Sequence, residues 1–434
     1  MTLHEIFPSP IKGSGIKALL SDEYMLACFK KFRDAVVSQI SYFKRAKNRI
    51  HEDSAFLKVF FFSEMSGRSI HETSEALNEY LKRCRRGKVK SFSDGRKRRM
   101  IPHQTSVNKF LRKISLEKAR KILRECLDAQ LNEALEHGLI SRKVNVLIDL
   151  TEHPYYGKRE DALIKGTTRQ KGTRKMRHYL VFSILSRGVH LFAGLEQVAK
   201  GESKIPVIIK FLSYLLELGF ELNHVLMDRE FYRVALIKAI KDMKGRVIIP
   251  AKNYRKIRAA IESYLKGKKK RVSIHVISTA LGGKNQQSQV VYLMINAKRG
   301  HSLREVKRAF LSGEITLEEA RSKTFALLTT ERPKSNTSSW ASKKRMIYRK
   351  RWQIETAFSD LNRINRYCKS SSDGVHYIDM LARMLLYNSW KLNQKYLSSS
   401  SKKSFRKINW TLRKNNDCLV GSFLSIEKKS LGMV

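Results

Sequence analysis

Acidic residues are scarce in this chain of 434 residues: 39 Asp and Glu stand against 87 Lys and Arg, a formal net charge of +48. So large an excess of one sign implies a polyanionic partner, nucleic acid before an anionic membrane surface, because no long basic amphipathic helix with an aromatic face is present. Long apolar runs are also missing. None reaches the roughly 18 residues that a membrane-spanning helix needs, and the opening residues do not read as a signal peptide, so a cytoplasmic, nucleoid-associated protein is expected. Cysteine is sparse. Cys28, Cys84, Cys126, Cys368 and Cys418 are odd in number, widely spaced and without a CxxC pair. That argues against a disulfide framework and against a zinc finger or ribbon, and leaves reduced, mostly buried thiols. Nucleotide-binding and hydrolase signatures are absent too: there is no GxxxxGK[ST], so no ATP is expected, and no HExxH or GxSxG. Gly13–Ala18 matches GxGxxA by letters, but Pro8 and Pro10 precede it where a strand would be needed. No internal repeat is evident.

What is present suffices for real cores, since 42% of the residues are hydrophobic and 20 are Phe. Residues 1–140 read as a helical region with a helix-turn-helix-like unit around 54–115. Ser54–Ser66 is a compact apolar helix. Ser69 opens a second helix, with Glu72 three residues on as in a capping box. A third begins near Thr105 after Pro102, turns Val107, Phe110, Leu111 and Ile114 inward, and offers Asn108, Lys109 and Arg112 to DNA. The link at 82–99 carries ten Lys or Arg and one acid.

From Val144 the texture changes to strands: Val144–Leu150, His178–Ser186, Val189–Val198, His224–Asp228 and Arg246–Pro250, with helices at Pro206–Leu218 and Tyr232–Met243. The order β-β-β-α-β-α-β is that of a ribonuclease-H-like mixed sheet, expected to span 141–397. A β-rich insertion at about 255–340 interrupts it. Helices are expected from Lys343 to Tyr367 and from Tyr377 to Tyr396. A linker at Ser398–Ser401 leads to a basic tail over 398–434.

Two acids, Asp149 and Asp228, end the first and fourth strands, which this order makes adjacent and parallel. Their carboxylates would emerge at one sheet edge and repel, for which a divalent cation is the usual remedy; oxygen ligands favour Mg²⁺ or Mn²⁺. Glu355 is the candidate third acid. Tyr348 and Arg351, seven and four residues before it, fall within about 40° of it on one helix face. The bland alternative is a surface Arg–Glu pair worth a few tenths of a kcal/mol.

The segment Tyr348-x-x-Arg351-x-x-x-Glu355, with Asp149 in VLIDLTEHPYYG and Asp228 in VLMDREFY, resembles the signature of insertion-sequence DDE transposases of the YREK type, in the branch with a β-rich insertion before the glutamate. The separations agree with that pattern: the gap from Asp228 to Glu355 is much the longer of the two and holds the insertion. One position departs: the family's lysine is Asn362 here, with Arg363 beside it. The resemblance implies metal-dependent DNA cleavage at element ends and strand transfer, with Asp149, Asp228 and Glu355 as catalytic metal ligands. It further implies double-stranded DNA as partner, in the form of terminal inverted repeats and target, and a homodimer in the DNA complex. Tyr348, Arg351, Asn362 and Arg363 would handle phosphates. The basic run between the first strands (Lys165, Arg169, Lys171, Arg174, Lys175, Arg177) would grip DNA. Glu152 and His153, just past Asp149, read as turn residues because Pro154 follows. Two alternatives stay open: a transposase-derived DNA-binding protein without activity, and a host nuclease of the same fold.

Overall fold

The computed structural model describes residues 53–84, 101–170, 172–252, 254–278, 287–333, 337–363 and 370–400, together with 51 and 368. Most of the 82–99 link, the Gly13–Ala18 segment and the tail beyond residue 400 lie outside these. Among the described residues four helices come first: α1 Asp53–Ser66, α2 Ile70–Cys84, α3 Gln104–Leu111 and α4 Leu116–Glu136. The capping box forms as expected: Glu72 Oε2 accepts from the Ser69 backbone N–H (2.9 Å) and Ser69 Oγ from that of Glu72 (3.1 Å). Val107, Phe110, Leu111 and Ile114 are buried, while Asn108, Lys109 and Arg112 face outward.

The strands are β1 Lys143–Pro154, β2 Ile164–Gln170, β3 Thr173–Ser186, β4 Val189–Gln197, β5 Glu221–Met227, β6 Arg246–Pro250, β7 Val272–Ser278, β8 Ser288–Ala297 and β9 Thr324–Thr329. Helices α5 Lys204–Glu217, α6 Val234–Asp242, α7 Arg255–Leu265, α8 Leu303–Leu311 and α9 Leu317–Ser322 interleave with them, and α10 Thr337–Arg349, α11 Trp352–Arg363 and α12 Asp373–Ser400 follow. The nine described strands form one mixed sheet in the order β2-β3-β1-β5-β6-β9-β8-β7, with β4 also on β3. The path β4-β3-β1-β5-β6 is the ribonuclease-H-like order. β1 and β5 are adjacent and parallel, as expected from sequence.

Several expectations are corrected. The basic stretch at 165–177 is not a loop: it is the β2–β3 hairpin, an additional pair of strand segments. β1 does not stop at Leu150 but runs on to Pro154, so Glu152 and His153 are strand residues. The insertion adds β7, β8 and β9 to the same sheet through antiparallel β6–β9 pairing. Helix α7 within it is unforeseen, and the helical stretch at 303–321 is two short helices. The single helix expected from Lys343 to Tyr367 is two, α10 and α11. Ser398–Ser400 continue α12 instead of forming a linker.

Strand alternation divides the interior into two cores. Leu147, Val181, Leu226, Ile248, Met294 and Leu327 face one way, against α10, α11, α12 and the apolar sides of α1, α3 and α4. Their neighbours Val146, Ile148, Val225, Met227, Val247 and Ile249 face the other way, against α5 to α9. Successive strand side chains point to opposite faces, so one sheet clad on both sides needs nearly continuous apolar strands. β3 and β4 are such strands. The amino-terminal helices thus share a core with the sheet.

The start of α12 lies tightly against the α3–α4 junction. A Cβ at Gly374 would collide with the Ile114 carbonyl oxygen, a backbone atom that cannot swing aside. Gly374→Ala is expected to cost about 1–3 kcal/mol, as overpacking typically does, read as a lower midpoint in urea unfolding; an unchanged midpoint would show that the contact relaxes freely.

Three buried histidines set an acid limit. Burial, with help from Lys391, pushes His190 down to about 3. Burial, then Arg177 and His153, lowers His376 to about 3, and burial with Lys344 lowers His224 to about 4. Below the ordinary histidine value of about 6.5 the unfolded chain takes up protons that the folded chain refuses. Stability therefore falls as pH drops from about 6.5 towards 4, by up to about 1.4 kcal/mol per pH unit for each group. Unfolding free energies measured across this window should show that slope, and His190→Gln should reduce it.

Candidate active site

The alternation that builds the cores also aims the acids. Asp149 shares the face of Leu147, and Asp228, still extended at φ −81 and ψ 168, shares that of Leu226. Both therefore point to the side of the sheet covered by α11. The last parallel pair of β1 and β5 is Ile148 with Met227, so Asp149 and Asp228 are the next residues of two neighbouring strands. Asp228 stands at the head of the short 3₁₀ turn Arg229–Phe231 but makes no side-chain cap with it.

Across from them, α10 ends at Arg349 and α11 begins at Trp352. The junction is a tightened turn in which Lys350 and Arg351 donate backbone hydrogen bonds to Ile347 and Tyr348, three residues back. Arg349, Lys350 and Arg351 contain no helix breaker. The break coincides with Arg351 turning inward. Its Nη1 bonds Asp149 Oδ2 at 2.9 Å and its Nη2 bonds Glu355 Oε1 at 2.5 Å. One guanidinium therefore bridges two of the three acids, with side-chain exposures of 16% at Asp149, 10% at Arg351 and 37% at Glu355. Asp149 Oδ1 also accepts from the Leu150 N–H. The Arg351–Glu355 pair is thus more than a surface ion pair, since its arginine is buried and reaches the sheet.

The electrostatics match this picture. Burial raises Asp149 to about 6, with Asp228 and Glu355 adding to the shift and Arg351 and the Leu150 amide opposing it. Burial, against the opposing Arg351 and with help from Asp228 and Asp149, also raises Tyr348 to about 12. Burial alone would lower Arg351, but Tyr348, Asp149, Glu355 and Asp228 outweigh it and hold the guanidinium charged. Arg351 therefore feels Tyr348 and all three acids, and Asp149 feels the other two. The donor set suits a hard divalent cation: three carboxylates, no thiol, and a positive group already seated between two of the acids.

Other residues fare differently. Asn362 and Arg363 lie on the last turn of α11, and their side chains are outside the described set, as are those of Arg169 and Lys171. Arg174 is exposed; Lys165 and Lys175 are half-buried, and Lys175 pairs with Glu160 at 2.7 Å. Arg177 is a correction. It is 0% exposed, bonded to Asp373 Oδ1 at 2.9 Å and to the Ser371 carbonyl, with its guanidinium over the Tyr155 ring. It ties β3 to the start of α12 and offers DNA nothing. Glu152 pairs with its β3 register partner His178, and His153 is buried against His376.

Two features escaped sequence reasoning. Trp352, beside Arg351, is 63% exposed. That is an uncommon place for an indole and a ready stacking face for a nucleobase. It could have been noticed as an aromatic inside a run of cations. Behind the site, Lys344 Nζ bonds Glu331 Oε2 at 2.5 Å and approaches His224 Nε2 at 3.2 Å, while His224 Nδ1 meets Asn145 Oδ1. This network fastens α10 to β1 and β5 and so positions Tyr348 and Arg351. Its members come from four distant segments, and no sequence pattern marks them.

Residues 141–389 match the family described as transposase DDE domain. The piggyBac transposase synaptic complex with hairpin DNA, solved by cryo-EM, is a similar structure with a TM-score of 0.50 at 14% sequence identity, covering 94% of this chain and 81% of that one. Likeness at that identity concerns the fold. No curated protein sequence matches significantly.

Proposed function

The chain belongs to the family of transposases with a DDE domain, and on that premise we propose that it cuts DNA at the ends of a mobile element and joins the freed 3′ ends to target DNA. The observation that carries this reading is the Arg351 guanidinium bonded to Asp149 and Glu355, with Asp228 following the neighbouring strand to Asp149 on the same face of the sheet. Asp149, Asp228 and Glu355 would hold Mg²⁺ or Mn²⁺, which when bound activates a water or 3′-hydroxyl and stabilises the leaving oxygen. Arg351, exchanging its carboxylate partners for phosphate, and Tyr348 orient the scissile backbone. Asn362 and Arg363 lie about two turns beyond Glu355 along α11 and extend that contact, in the place where the YREK-type branch carries lysine. Trp352 stacks on a base near the cut.

Charge outside the site supports a long DNA path. Exposed cations lie at Lys109 and Arg112, at Arg174, over Lys266–Lys270, and at Lys343, Arg349 and Lys350. The partner is double-stranded DNA, both the terminal inverted repeats and the target, engaged by a homodimer without ATP, in the cytoplasm at the nucleoid. Incubating the protein with the repeats that flank its gene and with plasmid target tests the proposal. Mg²⁺-dependent nicking at the repeat ends followed by joined product is expected. Cleavage without joining would favour a nuclease of this fold, and binding without cleavage an inactive derivative.

A further inference from the structure

A second constellation lies at the junction of α2 and α3, away from the three acids. His71 and Glu75 are four residues apart on α2 and so share one helix face. His103 enters from the cap position of α3. One ligand atom from each of the three lies within 4.8 Å of the others. The two imidazoles sit edge to face, with centroids 6.3 Å apart and planes at 72°, so they converge without stacking. The junction is held in place independently: Ser74 Oγ, next to Glu75, donates a buried 2.6 Å hydrogen bond to the carbonyl of Pro102, next to His103. His103 Nδ1 is engaged locally, 3.2 Å from Thr105 Oγ1 and accepting from the Thr105 N–H at 3.4 Å. Nε2 is then the atom left to coordinate. With the proton shifted to Nδ1, that nitrogen donates to Thr105 Oγ1, the outer hydrogen bond that metal-bound histidine usually makes.

We propose that His71, Glu75 and His103 bind a divalent transition metal, with zinc the best fit. Two imidazoles and a carboxylate are the donors of a three-ligand zinc centre whose fourth position is taken by water. Exposed His71 leaves that side open. Nitrogen donors separate this site from the all-oxygen site of Asp149, Asp228 and Glu355, which suits Mg²⁺. The metal clamps the base of the segment between Glu75 and His103, which contains the basic run, and rigidifies the end of α3 that precedes Asn108, Lys109 and Arg112. That last consequence rests on the DNA-binding reading; the metal site does not.

The test is a Zn²⁺ titration of the full chain by calorimetry, with metal content measured after gel filtration. One zinc per chain is expected, undisturbed by excess Mg²⁺ and retained by an Asp149→Ala/Asp228→Ala protein. His71→Ala, and His103→Ser, which keeps a helix-capping side chain, should each weaken binding by more than the about 10–100-fold that loss of an outer-shell partner costs. Absence of stoichiometric zinc, or binding equally tight in both variants, overturns the proposal. So does loss of zinc in the Asp149→Ala/Asp228→Ala protein alone, which would place the metal among the catalytic acids. A Co²⁺ titration gives a second reading, because its visible absorption reports imidazole coordination and should disappear in the same two variants.

Discussion

Alanine at Asp149, Asp228 or Glu355 is expected to reduce metal-dependent cleavage of end DNA by about 10³-fold or more while leaving the fold and DNA binding in place. Metal-assisted stabilisation of the transition state is worth several kcal/mol, and about 1.4 kcal/mol is tenfold in rate. The three effects should not add, since residues that act as a unit lose nearly everything at the first removal. Asp149→Ala tests more than a ligand. It also removes one of the two carboxylates that hold Arg351, so Arg351 should become more mobile in that variant than in Asp228→Ala. Single-turnover cleavage at saturating DNA, with binding measured separately in Ca²⁺ or without metal, separates chemistry from affinity. If all three variants cut at the parent's rate, these acids are not the active site. If they lose binding in parallel with cleavage, the acids are structural.

The largest stability effect is expected at Arg383. This residue of α12 is buried between Asp379, at 3.0 Å on the same helix, and Glu64 of α1, at 3.5 Å, and both acids are buried as well. Burial lowers the guanidinium's affinity for its proton, but Asp379 and Glu64 more than compensate. Arg383→Ala withdraws the guanidinium from two buried acids. Breaking a buried pair in this way costs about 3–5 kcal/mol, a large share of the roughly 5–15 kcal/mol that holds a typical protein folded. Most of the variant should be insoluble or should melt far below the parent. A triple variant, Glu64→Gln, Asp379→Asn and Arg383→Met, removes all three charges and keeps similar volumes, so it should recover much of the loss. Equal thermal midpoints for parent and Arg383→Ala would show that water reaches these groups.

The three acids proposed for catalysis stood out because that chemistry requires particular residue types in particular places. A carboxylate that follows VNVLI or HVLM stands out against an apolar strand, and Tyr348, Arg351 and Glu355 keep helical spacing. The strand order was legible for a related reason: fully buried strands must be apolar throughout, and the helices between them carry the 3.6-residue period. The errors fall where a residue's role depends on a distant partner. Arg177 lies in a basic run and resembles its neighbours by sequence, but Asp373, far along the chain, takes it into the interior. The hairpin of β2 and β3 hides in the same run, because an edge strand needs backbone pairing more than apolar side chains. Helix α10–α11 reads as one helix because Arg349–Arg351 holds neither Pro nor Gly; the turn there accompanies the burial of Arg351 against Asp149.

By itself, then, the sequence determined the charge, the alternation of strands and helices, and the strand-end and helical positions of the three candidate acids, since each is a local property of composition or period. Tertiary structure alone decided which face of the sheet the acids occupy, that one guanidinium joins Asp149 to Glu355, and that His71 and Glu75 meet His103 beyond a basic link. Those are contacts between segments far apart in the chain, and only the packing of one element on another brings such side chains within bonding distance.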